Sequence, residues 1–161
     1  MEVSRSPDGL IVTLSTEEDT ARLGEAIADL VEPGTVIGLV GPLGAGKTRL
    51  VRAIAEALGV DPEAISSPTF VLIQEYDGRL PIYHIDTYRL PTSEAFEELG
   101  VADYWETGVS LVEWADRFPN SLPENRWTIT LQPTGPTSRL ARIEQPPAAQ
   151  GVMDRLAGRL T

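Results

Sequence analysis

The chain contains no cysteine, which removes disulfides, thiolate zinc sites and a thiol nucleophile together. Its one histidine, His84, cannot build a polyhistidine metal site. Its one lysine is Lys47; every other cationic side chain is arginine. Long apolar runs are missing as well. Stretches such as "TVIGLV" fall far short of the ~20 residues that span a bilayer, and the opening "MEVSRSPDGL" has no apolar signal region, so a cytoplasmic protein is expected. Positive charge is scarce too, with a net charge of −11. Direct DNA or RNA binding rests on Lys and Arg neutralising phosphates, and no Lys/Arg run exists here to do it. The acidic balance suits solubility or a protein partner with a basic face.

What is present is enough chain for a real core: 161 residues, 42% of them hydrophobic. One domain over 1–161 is expected, with a tail from about residue 146 whose docking the pattern leaves open. "GLIVTLS" reads as a first strand. Ser15 with Glu18 matches a capping box opening a helix through "EEDTARLGEAIADLV", with Leu23, Ile27, Leu30 and Val31 at helical spacing and Pro33-Gly34 as its end. "TVIGLV" is the β-branched run of a strand buried on both faces. "KTRLVRAIAEALG" is a second helix, closed by Gly59. "TFVLIQEY", the turn at Asp77-Gly78 and "LPIYHIDTY" predict a hairpin. "TSEAFEELG" is a short capped helix, "VSLVEW" another buried strand, "RWTITLQ" and "RLARIEQ" a second hairpin, and "GVMDRLAGRL" a last helix. The class is α/β with several antiparallel strands.

"GPLGAGKT", residues 41–48, fits G-x-x-x-x-G-K-[ST] throughout. Gly41, Gly44 and Gly46 allow left-handed backbone and close approach of a ligand. Leu43, Gly44, Ala45 and Gly46 then present backbone N–H groups to phosphate oxygens, assisted by the positive end of the following helix. Lys47 supplies a mobile charge to the terminal phosphates, where a broad guanidinium would not fit, and Thr48 offers a hydroxyl to Mg²⁺. The pattern therefore calls for a nucleotide triphosphate and magnesium.

Such a magnesium needs one or two carboxylates besides the phosphates, at the C-terminal ends of nearby strands. Glu113 ends "VSLVE" and Asp86 ends "LPIYHID". Either could hold the metal, directly or through water. Glu113 could instead polarise an attacking water or be a plain strand-end acid. Thr69, in "SSPTF", lies where a γ-phosphate-sensing switch would sit, or in a simple strand-entry turn. His84 reads as packed or hydrogen-bonded within its strand, with catalysis as the second reading. Trp114 either faces the nucleotide or belongs to the core. Arg89 and Arg139 could stabilise transferred phosphate charge or form salt bridges.

"GPLGAGKT", "SSPTF", "YHIDTYRL", "EELG" and "SLVEW", in that order, resemble the bacterial TsaE (YjeE) family of small P-loop ATPases, over about residues 10–145. The resemblance implies a P-loop NTPase-type three-layer α/β sandwich with a mixed parallel/antiparallel sheet. It implies Mg²⁺-dependent ATP hydrolysis, slow alone, serving N6-threonylcarbamoyladenosine formation at tRNA position 37. It further implies docking on a TsaD–TsaB complex, with tRNA met only through that complex. By the same resemblance Lys47 and Thr48 hold phosphate and Mg²⁺, Asp86 and Glu113 are the metal and catalytic acids, and Thr69 is the switch threonine. Trp114 lies beside the nucleotide, and Glu17 and Thr20 lie near the nucleoside. Ser138-Arg139 stands where the family often has Gly-Arg. The rival reading is a small-molecule P-loop kinase; "PTGPTS" lacks the arginines of a kinase lid, and the stretch 94–106 is acidic.

Overall fold

The computed structural model of the chain describes residues 1–65, 72–146, 148–149 and 151–161. Eight strands form one sheet: β1 (Glu2–Ser6), β2 (Gly9–Leu14), β3 (Val36–Val40), β4 (Ile73–Asp77), β5 (Pro81–Asp86), β6 (Val109–Glu113), β7 (Trp127–Pro133) and β8 (Arg139–Glu144). Their spatial order is β1-β2-β8-β7-β3-β6-β5-β4. β7, β3, β6 and β5 run parallel at the centre. Antiparallel pairs complete both flanks. The sheet is mixed, as the family resemblance implied and in agreement with the hairpin patterns.

The central strands are apolar on both faces because helices cover both. On one side lie α1 (Glu17–Ala28), α2 (Lys47–Ala57) and α4 (Val152–Leu160). Leu23, Ile27, Leu50, Ile54 and Leu156 pack there on Ile37, Leu39 and Leu111. On the other side α3 (Ser93–Glu97) and several 3₁₀ turns cover Ile85 and Val112 with Phe96, Val101 and Leu122. The period-2 alternation of β5 and β6 therefore sends His84, Asp86, Leu111 and Glu113 toward the α2 side.

Three local expectations are corrected. The cap of α1 is Thr16, not Ser15. Thr16 Oγ1 accepts from Asp19 N at 3.2 Å, while Asp19 Oδ2 accepts from Ser15 N at 2.8 Å. The capping box is thus shifted one residue and closed by an aspartate. α1 ends at Ala28, with Leu30 and Val31 in the turn beyond, because the Leu30 amide closes on Ile27 O before Pro33 is reached. A strand before "GLIVTLS" was not expected; β1 exists because Ser6 and Gly9 bracket a tight turn that pairs it with β2. The last helix is docked, with Val152, Met153, Leu156 and Leu160 buried against α1 and β2.

Candidate functional site

The phosphate-loop pattern lies between β3 and α2. Gly41, Gly44 and Gly46 have φ of 152°, 79° and 102°. At Gly41 a Cβ would stand 2.4 Å from Leu131 O, so only glycine brings the loop past β7. α2 starts at Gly46 with no side-chain cap and no acid in its first turn. Its opening N–H groups, with the positive end of the helix dipole, are left to a ligand. Arg139 braces the loop from β8: Nε donates to Ala45 O at 2.9 Å and Nη2 to Gly44 O at 3.3 Å. This adds a loop-shaping role to those foreseen for Arg139, which also lines the cleft. Ser138, the departure from the family's glycine, turns away and bonds the Thr134 hydroxyl at 2.9 Å; it does not line the cleft.

Lys47 is only 5% exposed. Its ammonium donates to Gly41 O (2.5 Å) and Pro42 O (2.9 Å) and sits 3.8 Å from the centre of the Trp114 ring, a cation–π contact. Burial pushes its pKa below the usual lysine value, against the opposing pull of Glu113, Asp116 and Asp86. Trp114 has φ 58°, the single non-glycine residue with positive φ among those described. That conformation turns the chain sharply after β6 and lays the indole on the wall of the cleft, with Tyr88 against it at 4.7 Å. Thr87 holds the turn: its hydroxyl lies 3.0 Å from Glu113 O and 2.8 Å from Trp114 O.

Asp86 and Glu113 are register partners at the C-terminal ends of β5 and β6. Thr48 Oγ1 lies 2.9 and 3.0 Å from the two oxygens of Glu113. His84 Nε2 meets Glu113 Oε2 at 2.5 Å from behind, where both side chains are buried. Asp86 accepts from Tyr88 N at 2.9 Å. Among the described residues no group of three or more His, Asp or Glu side chains could hold a metal by itself. The donor set of Thr48, Glu113 and Asp86 instead suits a magnesium ion that arrives with phosphates and keeps several waters.

These groups face one cleft of about 480 Å³, lined by Leu43 to Arg49, Asp86, Tyr88, Arg89, Glu113, Trp114 and Arg139. Across Gly46 and Arg139 it adjoins a smaller pocket of about 130 Å³. That pocket takes in Glu17 and Thr20, together with Thr16, Leu131 and Thr137. Thr69 lies outside the described residues. Thr87 and Tyr88 were missed, although both sit inside "HIDTYRL"; a threonine directly after a strand-end acid was the available signal. Arg117, whose Nη1 donates to Thr87 O at 2.7 Å and to Tyr88 O at 2.5 Å, had no local signal at all.

A sequence model described as "Threonylcarbamoyl adenosine biosynthesis protein TsaE" matches residues 14–141. The chain belongs to the TsaE family. The tRNA threonylcarbamoyladenosine biosynthesis protein TsaE of Treponema pallidum is 45% identical over 116 residues, 71% of this chain and 85% of its own. The Bacillus subtilis protein of the same name is 41% identical over 124 residues, 76% of this chain and 77% of its own. The crystal structure of Bacillus subtilis YdiB aligns with a TM-score of 0.78 at 31% identity, covering 100% of this chain and 99% of that one. The fold is thus that of a P-loop NTPase, and as a TsaE this chain acts in tRNA threonylcarbamoyladenosine biosynthesis. Among the described residues no helix is long and apolar enough to cross a membrane.

Proposed function

We propose that this TsaE is a magnesium-dependent ATPase that drives tRNA N6-threonylcarbamoyladenosine formation, at position 37, by acting on a TsaD–TsaB complex. The observation that carries the reading is the uncapped start of α2, with Thr48 in its first turn, facing Glu113 and Asp86 across one cleft. Loop amides and Lys47 bind the β- and γ-phosphates; Lys47 leaves Gly41 O and Pro42 O to do so. A threonine hydroxyl that gives a lone pair to a metal keeps its proton for Glu113, so the Thr48–Glu113 contact suits both states. Magnesium, when bound, neutralises charge that develops on the phosphate oxygens. Glu113 orients the attacking water and takes its proton as the γ-phosphate leaves ADP. The smaller pocket beside Glu17 and Thr20 receives the nucleoside.

A partner fits the mouth of this cleft. The two large hydrophobic side chains most exposed among the described residues, Leu43 (83%) and Tyr88 (52%), both line it. A protein seated there exchanges exposed apolar surface for contact and closes the site to water. A cytoplasmic location accords with this role.

The test is phosphate release with and without TsaD–TsaB, for the native chain and for Lys47→Ala and Glu113→Ala. Release is expected to be slow alone, raised by the partners, and lowered by each substitution, for Glu113→Ala by roughly 10²-fold or more. Phosphorylation of a small acceptor in place of water would establish the kinase reading. Undiminished partner-stimulated release in Glu113→Ala would remove Glu113 from the chemistry.

A further inference from the structure

His84 is fully buried in the middle of β5 and meets Glu113, yet its other ring nitrogen, Nδ1, has no hydrogen-bond partner among the described residues. Packing alone does not ask for such a residue. An apolar side chain would fill the same volume beside Tyr76, whose ring lies 6.5 Å away, without burying an unpaired nitrogen. A carboxylate oxygen accepts, so the 2.5 Å contact with Glu113 Oε2 places a ring proton on Nε2. His84 is therefore a fixed donor to Glu113 Oε2.

Strand geometry makes that donor rigid. His84 pairs in register with Leu111, and Asp86 with Glu113, so the imidazole lies one pleat behind the two acids on the same face. From there it grips one carboxylate oxygen of Glu113, a residue that is itself 4% exposed. Thr48 Oγ1 stands almost equally far from both oxygens, which leaves the plane of the carboxylate undetermined from the cleft side. His84 breaks that symmetry by holding Oε2.

We propose that His84 is the positioning residue for Glu113: its Nε2–H fixes Oε2 so that Oε1 is presented to the magnesium and water side of the cleft. The proposal rests on the ATPase reading above. Residues that orient metal-side carboxylates from behind cost roughly 10–100-fold in activity or metal affinity when removed.

Three variants separate this role from simple packing. The amide nitrogen of glutamine sits at the same depth from the backbone as Nε2, that of asparagine one atom short, and phenylalanine keeps the ring without the donor. For each, kcat and KM for ATP are measured, together with melting temperature and calorimetric ADP affinity with and without Mg²⁺. His84→Phe and His84→Asn are expected to lower kcat roughly 10–100-fold with little change in KM. They are also expected to lose the Mg²⁺-linked part of ADP affinity while keeping the Mg²⁺-free part; His84→Gln restores most of both. Wild-type kcat and Mg²⁺-linked affinity in all three variants would overturn the proposal. So would equal losses in Gln and Asn, or a loss of Mg²⁺-free ADP binding in step with melting temperature. Should the Phe variant fail to fold, the Gln–Asn comparison decides alone. Absence of ATP turnover in the native chain would defeat the ATPase reading instead, and the ADP affinities would still judge His84.

Discussion

Lys47 shows how a functional side chain is held against its own preference. The folded environment depresses its pKa through burial, so its charged form is less comfortable in the protein than in water. The sign follows: at neutral pH a lysine with a lowered folded pKa subtracts from stability. Two carbonyls and the Trp114 ring offset only part of that cost. Lys47→Met, which keeps the stem, is therefore expected to hold or raise the melting temperature while abolishing nucleotide binding, checked by thermal unfolding beside calorimetry with ADP. A fall in melting temperature would mean that the ammonium contacts outweigh the desolvation. The retention of a lysine at this one position has its reason here. Arginine braces the loop from outside, as Arg139 does, but cannot thread it.

Elements are placed by close approach as much as by hydrophobicity. α1 and α2 touch through Gly24, where an added Cβ would stand 2.6 Å from Ala53 Cβ and 2.9 Å from its backbone carbon. In α4, Gly158 has nothing within 4 Å of the same position. Identical substitutions should then act in opposite directions. Gly158→Ala gains helix propensity and stabilises by up to about 1 kcal/mol. Gly24→Ala makes the same gain but overpacks a backbone contact, costing about 1–3 kcal/mol. It is also expected to weaken nucleotide binding, because α1 carries Glu17 and Thr20 on the pocket wall. Denaturant unfolding of both variants, with ADP titration, checks the pair. Neither difference is visible in the sequence, where both glycines sit in good helical patterns. The helices themselves were legible, because their apolar spacing is local.

For the whole molecule the notable addition is the chain's end. Its last helix, α4, lays Val152, Met153, Leu156 and Leu160 on α1 and β2 and closes the core on the side opposite α3. Leu156 is fully buried, so Leu156→Ala is expected to cost about 2–5 kcal/mol, read as a lower denaturation midpoint with unchanged slope. Phosphate release should persist in that variant below its unfolding temperature, because α4 does not reach the cleft. α4 thus packs on the scaffold that carries the phosphate-loop pattern, beyond the matched family region of residues 14–141.

Much of the site was legible because its signals are local. The glycine loop, the strand before it and the helix after it are consecutive, and the acids at 86 and 113 sit at the ends of apolar runs. The sequence by itself determined the phosphate loop, the mixed sheet and the family. Only the tertiary structure decided that β5 and β6 lie parallel in one register, bringing Asp86, Glu113 and His84 to one face. It alone decided that Arg139 reaches back across the sheet to the loop, that Arg117 braces the 87–88 turn, and that α4 is docked. The physical reason is sequence separation: hydrogen bonds between residues tens of positions apart leave no periodic trace, because they depend on strand order, which many patterns of similar local propensity can share.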